Sequence, residues 1–321
     1  MTVDLSRRAW LMSAPAAVGA GLAAGLTVAP MSAPAKERDN AKPFRYSLNT
    51  STIRGQKLTL EQEIDIAAKA GYDCFEPWVS ELDAHAKGGG SLEDLGKRLR
   101  DRGLSVESSI GFFEWIVDDP ERRKKGLEAA RHSMDLVRKI GGKRIAAPPW
   151  GATKQTGLNL LSAAERYRAL LELGDKMEVV PQAEVWGFST TLTRLGEAAL
   201  VAVEAGHPRA CILADVYHLH KGGSGFQTLA LLGAASLRHF HMNDYPASPD
   251  RATIRDAHRV YPGDGVAPLK TMLRDLHELG FRGMLSLELF NPDYWKQDAL
   301  TVAKTGLEKM KAVVRSALEK P

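Results

Sequence analysis

Met284-Leu285-Ser286-Leu287-Glu288-Leu289 is the stretch whose reading decides the fold. Side chains alternate along a strand, so the three leucines share one face while Ser286 and Glu288 share the other. The leucines suit a face covered by helices. The serine and the glutamate then point at the axis of a closed sheet. A carboxylate there is expensive to bury unless it is paired or bound to a metal. Three earlier stretches follow the same plan. Gln182-Ala183-Glu184 ends one apolar run, and Leu213-Ala214-Asp215 ends another with His218 three residues on. His239-Phe240-His241-Met242-Asn243-Asp244 ends a third.

From Phe44 onward, short apolar runs alternate with amphipathic segments. The pattern predicts strands over 44–49, 74–79, 104–110, 145–147, 179–185, 211–215, 237–243 and 284–289. Helices are predicted over 58–70, 92–102, 120–140, 161–176, 192–205, 268–279 and 299–318, with a short one near 226–232. Thr59 is a candidate N-cap and Gly71 a stop signal for the first of these. Pro120 occupies a favoured first-turn position. Eight such units predict an α/β fold, a single (β/α)8 barrel spanning 44–321, with catalytic residues at the C-terminal ends of the strands. An open doubly wound sheet usually begins with a glycine-rich phosphate turn, and Ser47-Leu48-Asn49-Thr50-Ser51-Thr52 has no glycine.

The 321 residues are 44% hydrophobic and 26% charged, which excludes a disordered, collagen-like or coiled-coil chain. A net charge of +4 with no basic run gives no reason to expect nucleic acid as a partner. Two cysteines support neither a disulfide framework nor a cysteine zinc site. Cys74 and Cys211 fall in the second and sixth predicted strands, across the barrel from each other, and are expected to be free thiols.

Residues 1–35 read as a targeting segment. Arg7 and Arg8 precede an Ala- and Gly-rich apolar stretch that ends at Ala33-Pro34-Ala35. The stretch holds few leucines, which favours a cleaved signal over a stable membrane span. The expectation is a twin-arginine export signal, a linker over 36–43, and a periplasmic or otherwise extracytoplasmic barrel with no stable membrane insertion after cleavage.

Glu184, Asp215, His241 and Glu288 stand at or near the ends of four successive strands, so three carboxylates and an imidazole converge. A divalent cation would relieve their mutual repulsion. The O3N donor set suits one Mn2+, with Mg2+, Co2+ or Zn2+ as alternatives. Each residue also has an ordinary reading: a glutamate paired with lysine, Asp215 capping the next turn, His241 satisfied in a core.

In these segments the chain resembles the xylose isomerase-like TIM-barrel family of sugar isomerases and epimerases, over residues 44–318. Ala183-Glu184-Val185, Asp215-Val216-Tyr217-His218, His241-Met242-Asn243-Asp244, Pro262-Gly263-Asp264-Gly265 and Leu287-Glu288-Leu289-Phe290 carry the resemblance. It implies that Glu184, Asp215, His241 and Glu288 hold one divalent metal and that His218 contacts substrate.

Trp78, Trp115, Trp150, Trp186 and Trp295 all follow predicted strand ends, which suits rings that pack against sugar C–H faces. Candidate substrate contacts are Glu76, Trp115, Trp150, Trp186, His218, His258 and Arg259, with Glu114 in a similar position at a strand end. The leading expectation is a metal-dependent isomerase or epimerase of an unphosphorylated sugar or keto-sugar. Glu184 and Glu288 would move the proton beside a carbonyl through an enediolate. A lyase that eliminates a group from a keto-sugar, with His218 or His258 protonating the leaving group, is the alternative. A sugar-binding protein without turnover fits the full carboxylate set poorly. The residues leave a homo-oligomer open.

Overall fold

The structure, a computed structural model, describes residues 42–319. The expected export signal and most of the linker lie outside these residues. Seven parallel strands form one curled sheet: β1 (Arg45–Asn49), β2 (Cys74–Glu76), β3 (Arg144–Ala147), β4 (Val180–Glu184), β5 (Ile212–Asp215), β6 (Leu237–Met242) and β7 (Met284–Leu287). Their order is β2-β1-β7-β6-β5-β4-β3.

The third predicted strand, 104–110, is not a regular strand. It is an extended segment that joins the two ends of the sheet. Phe75 N donates to Ser105 O (3.0 Å) and Ile110 N to Pro77 O (3.0 Å) on one side. On the other, Ala146 N donates to Ser109 O (2.9 Å) and Ser109 N to Arg144 O (3.2 Å). The ring therefore closes with eight members, as a (β/α)8 barrel requires.

Nine helices are found among the described residues. They are α1 (Leu60–Ala70), α2 (Val79–Lys87), α3 (Leu92–Asp101), α4 (Pro120–Lys139), α5 (Leu160–Met177), α6 (Leu195–Glu204), α7 (Val216–Gly222), α8 (Leu269–Glu278) and α9 (Ala299–Leu318). The start signals act as expected. Thr59 and Gln62 form a capping box on α1, and Gly71 ends it at φ 92°, a conformation that glycine adopts without a Cβ clash. Asp119 caps α4 ahead of Pro120. Helices α2 and α7 were not expected. Each starts within three residues of a strand end, with no polar linker to announce it.

Strand register sets the site. Asp215 pairs with His241 across β5 and β6, and His241 with Ser286 across β6 and β7. Asn49 pairs with Glu76 across β1 and β2. Parallel partners point the same way, so these polar side chains form a layer on the barrel axis near its C-terminal mouth. Phe240, Met242, Leu285 and Leu287 point outward into a continuous buried helix–sheet core. Ile110, Ala146 and Leu213 make a small separate cluster. Both Cys74 and Cys211 are buried and free.

Candidate active site and metal centre

His241 is the centre of the polar layer. Its Nε2 lies 3.2 and 3.3 Å from the two carboxylate oxygens of Glu76. Its Nδ1 faces the other way, 3.2 Å from Glu288 Oε2 and 3.8 Å from Asp215 Oδ2. That nitrogen has no hydrogen-bond partner. Ligand atoms of Asp215, His241 and Glu288 fall within 4.8 Å of one another, all buried. An imidazole held by a carboxylate through one nitrogen, with the other aimed at two more carboxylates, is the usual arrangement around a protein-bound metal. Glu184 adds a carboxylate that is 4% exposed, with Oε2 unpartnered. Burial pushes its pKa up to about 8, and the nearby Glu288 and Asp215 charges add to the rise. An orphaned imidazole nitrogen, an orphaned carboxylate oxygen and an excess of buried negative charge all fit a divalent cation.

The structure also brings in Arg259, 1% exposed. Its Nη1 donates to Asp215 Oδ2 (2.8 Å) and to Glu288 Oε2 (2.9 Å). Its Nη2 donates to Asp256 Oδ1 (2.5 Å) and to His218 Nε2 (3.3 Å). An acceptor role for Nε2 places the His218 proton on Nδ1, which has no partner. Burial holds the His218 pKa down to about 4, so the ring is a neutral donor near pH 7. Asp215 does two things at once. Its Oδ1 accepts from His218 N (2.7 Å) and caps α7, while its Oδ2 faces Arg259 and Asn243.

Above this layer lies a cavity of about 350 Å³ whose lining includes Glu184, His218, Asp256, Arg259 and Glu288 together with Trp78, Trp150 and Trp186. Several expected contacts fall elsewhere. Glu76 is fully buried beneath the cavity, bonded to Asn49 (2.9 Å) and Ser286 (2.7 Å), and braces His241 instead of meeting substrate. Trp115 is buried, with Nε1 donating to Pro148 O (2.8 Å) and its ring against Tyr167, so it roofs the barrel wall. His258 turns back on its own loop, where Nδ1 accepts from Arg255 N (2.9 Å). Glu114 is paired with Arg122 outside the cavity, and Trp295 donates to Ser51 O (3.0 Å). Asp256, Phe112, Phe188 and Phe290 line the cavity without having been singled out from sequence. The Pro262–Gly265 turn also gains a physical role. Asp244 accepts from the backbone N–H groups of Gly263, Gly265 and Ala267 (2.9–3.1 Å) and fastens that turn to the end of β6.

Asp215, His241 and Glu288, with Glu184 in the lining of the cavity beside them, make a candidate metal site at the C-terminal mouth of a (β/α)8 barrel. Residues 64–313 match the xylose isomerase-like TIM barrel model, and the chain belongs to that family. It is 26% identical over 263 residues to the inosose isomerase of Bacillus velezensis, covering 81% of this chain and 93% of that one. It is 24% identical over 276 residues to the 3-dehydroshikimate dehydratase of Pseudomonas aeruginosa, covering 83% of this chain and 41% of the other. Among solved structures, the IOLI protein with a bound zinc atom superposes with a TM-score of 0.80 at 20% identity, covering 86% of this chain and all of the other.

Proposed function

We propose that the protein is a divalent-metal-dependent sugar isomerase or epimerase that moves a proton beside a carbonyl of an unphosphorylated sugar or keto-sugar. The observation that carries this reading is the unpartnered His241 Nδ1 and Glu184 Oε2 beside Asp215 and Glu288 at the floor of a cavity. Glu184, Asp215, His241 and Glu288 would hold the ion, with Mn2+ the best match to the donor set. A bound divalent ion supplies electrophilic pull on the carbonyl oxygen as charge develops there.

The side chains then have defined tasks. Glu184 takes the proton from the carbon next to the carbonyl, leaving an enediolate. For isomerisation the protonated Glu184 returns that proton to the neighbouring carbon, and for epimerisation Glu288, first protonated from solvent, delivers one to the other face. Arg259 and the Nδ1–H of His218 donate to substrate oxygens. The six rings around the cavity exclude water from the intermediate. Sugar isomerisation, epimerisation and dehydration share the first proton removal, which accommodates both named relatives. In the lyase version, the electron pair left by proton removal expels a β-substituent, which takes up the proton that Glu184 has removed while the neutral His218 Nδ1–H hydrogen-bonds the leaving oxygen.

The test is chelation followed by reloading. Protein stripped of metal and returned to Mn2+, Mg2+, Co2+ or Zn2+ is offered an inosose, ketohexoses and keto-glycosides, and products are read by NMR. Metal-restored conversion to an isomer or epimer supports the reading. A released aglycone selects the lyase version, and undiminished turnover after chelation removes the metal from the account. We further propose that the chain is exported by the twin-arginine route, on the strength of Arg7 and Arg8 ahead of the apolar stretch.

A further inference from the structure

The cavity has two unlike halves. Glu184, His218, Asp256, Arg259 and Glu288 supply the charged and polar chemistry. The remaining lining is Ile110 and six aromatic side chains: Trp78, Phe112, Trp150, Trp186, Phe188 and Phe290. The rings form a continuous arc. Trp78 meets Phe112 at 5.2 Å, Phe112 meets Trp150 at 5.1 Å, Trp150 meets Trp186 at 6.2 Å and Trp186 meets Phe188 at 5.0 Å between centroids. Phe290 closes the arc against Trp78 at 6.0 Å. The Trp78 indole N–H is already spent on Asn49 Oδ1 (3.0 Å) and the Arg54 guanidinium stacks on the ring at 3.7 Å, so the face left to a ligand presents only carbon.

A free monosaccharide suits this arrangement poorly. Its ring has two faces and needs at most two aromatic platforms, whereas hydroxyls project from nearly every ring carbon. Hydroxyls turned toward the arc would lose water and gain no partner, a loss of roughly five-fold to a hundred-fold in affinity for each one. Trp150 and Phe188, on either side of Trp186, are 44% and 45% exposed, large apolar surface left at the rim. The cavity volume of about 350 Å³ lies within the range of about 300–1,000 Å³ typical of sites for drug-sized ligands.

We infer that the substrate is a keto-sugar carrying a planar apolar substituent, an aryl glycoside in which the sugar meets the polar half and the aryl group lies against the aromatic arc and emerges between Trp150 and Phe188. This rests on the proposed proton-transfer chemistry for the sugar half but draws the aryl half from the arc alone. Trp186 and Phe188 also pack on the His218 ring (6.3 and 5.6 Å), so the substituent would sit next to the Nδ1–H that hydrogen-bonds its linking oxygen.

The experiment uses Mn2+-loaded full-length protein and three probes: 3-ketoglucose and the 3-keto derivatives of methyl and phenyl β-glucoside. Binding is read by stopped-flow quenching of tryptophan fluorescence before turnover, and turnover by NMR, both in the unsubstituted protein. The phenyl compound should bind at least ten-fold more tightly than the methyl compound. Phe188→Ala, at a half-exposed position that the fold tolerates, should shrink that ratio to about three-fold or less, and Phe188→Leu should fall between. Equal binding of all three probes, or no binding of the phenyl compound, overturns the inference. Selective phenyl binding with no turnover of any probe leaves the inference standing and contradicts the proton-transfer reading. Turnover without aryl preference does the reverse.

Discussion

Replacing Arg259 by methionine tests the electrostatics of the site without relying on a substrate. In the structure this guanidinium is the cation bonded to both Asp215 (2.8 Å) and Glu288 (2.9 Å), and the three groups are almost completely buried. Removing one member of a buried ion pair leaves an uncompensated charge and costs about 3–5 kcal/mol. For a domain of this size each kcal/mol corresponds to about 2–4 °C in Tm. The metal-free Arg259→Met protein should therefore melt roughly 6–20 °C below the unsubstituted protein. Asp215 Oδ2 and Glu288 Oε2, the oxygens that hold the guanidinium, also face the unpartnered His241 nitrogen. A divalent ion should thus substitute for the lost charge, and Mn2+ at 100 times its Kd adds about 2.7 kcal/mol by linkage alone. Differential scanning fluorimetry with and without Mn2+ measures both effects. The variant should gain more from Mn2+ than the unsubstituted protein does. Equal melting of the two metal-free proteins would refute the buried-pair argument. A deep loss that Mn2+ leaves untouched would show that the guanidinium and the ion do not share those oxygens.

Glu76→Gln should lower Mn2+ affinity about 10–100-fold, the usual cost of losing a carboxylate behind a metal-binding histidine, as read by isothermal titration calorimetry. Glu63, buried next to Glu81, has its pKa pushed up to about 9, chiefly by burial. Between the ordinary carboxylate range and that value the unfolded chain releases a proton that the folded chain keeps, so the group's contribution to stability falls as pH rises. Glu63→Gln should match the unsubstituted protein near pH 4.5 and exceed it by several degrees in Tm at pH 8–9; an advantage confined to acid pH would contradict the sign. Lysine at both Arg7 and Arg8 should leave an uncleaved precursor in the cytoplasm on fractionation. Both thiols should titrate with Ellman's reagent only after denaturation, since burial raises the pKa of Cys74 and of Cys211 to about 11.

The barrel was legible because its helices and most of its strands carry clean periods. The alternation Leu285/Ser286/Leu287/Glu288 already separates the helix-facing side from the axis. The extended segment over 104–110 was harder. Ser105, Ser108 and Ser109 interrupt its apolar pattern, and it pairs by scattered bridges instead of a ladder. The convergence of polar side chains at the barrel mouth was legible because Glu184, Asp215 and His241 stand at or within two residues of the ends of their strands, and Glu288 directly follows β7. What sequence could not separate was depth. Glu76 and Glu184 both end strands, yet Glu76 is held below the cavity by Asn49 and Ser286 while Glu184 lines it. Trp115 and Trp150 follow strand ends alike, but Trp115 bonds the carbonyl of Pro148 and packs on Tyr167 within the wall. Asp256 belongs to a loop, and nothing local announces that Arg259 will turn it toward His218.

Solvent isotope exchange tests the central claim most directly. The Mn2+-loaded protein is incubated in D2O with the keto-sugar it converts, and deuterium is located by NMR in product and recovered substrate. Removal of the proton by Glu184 predicts deuterium at the carbon beside the carbonyl, and Glu184→Gln should slow its appearance by about 10²–10⁴-fold. Many turnovers with no deuterium in either compound, in a reaction that Glu184→Gln leaves at full rate, would contradict it.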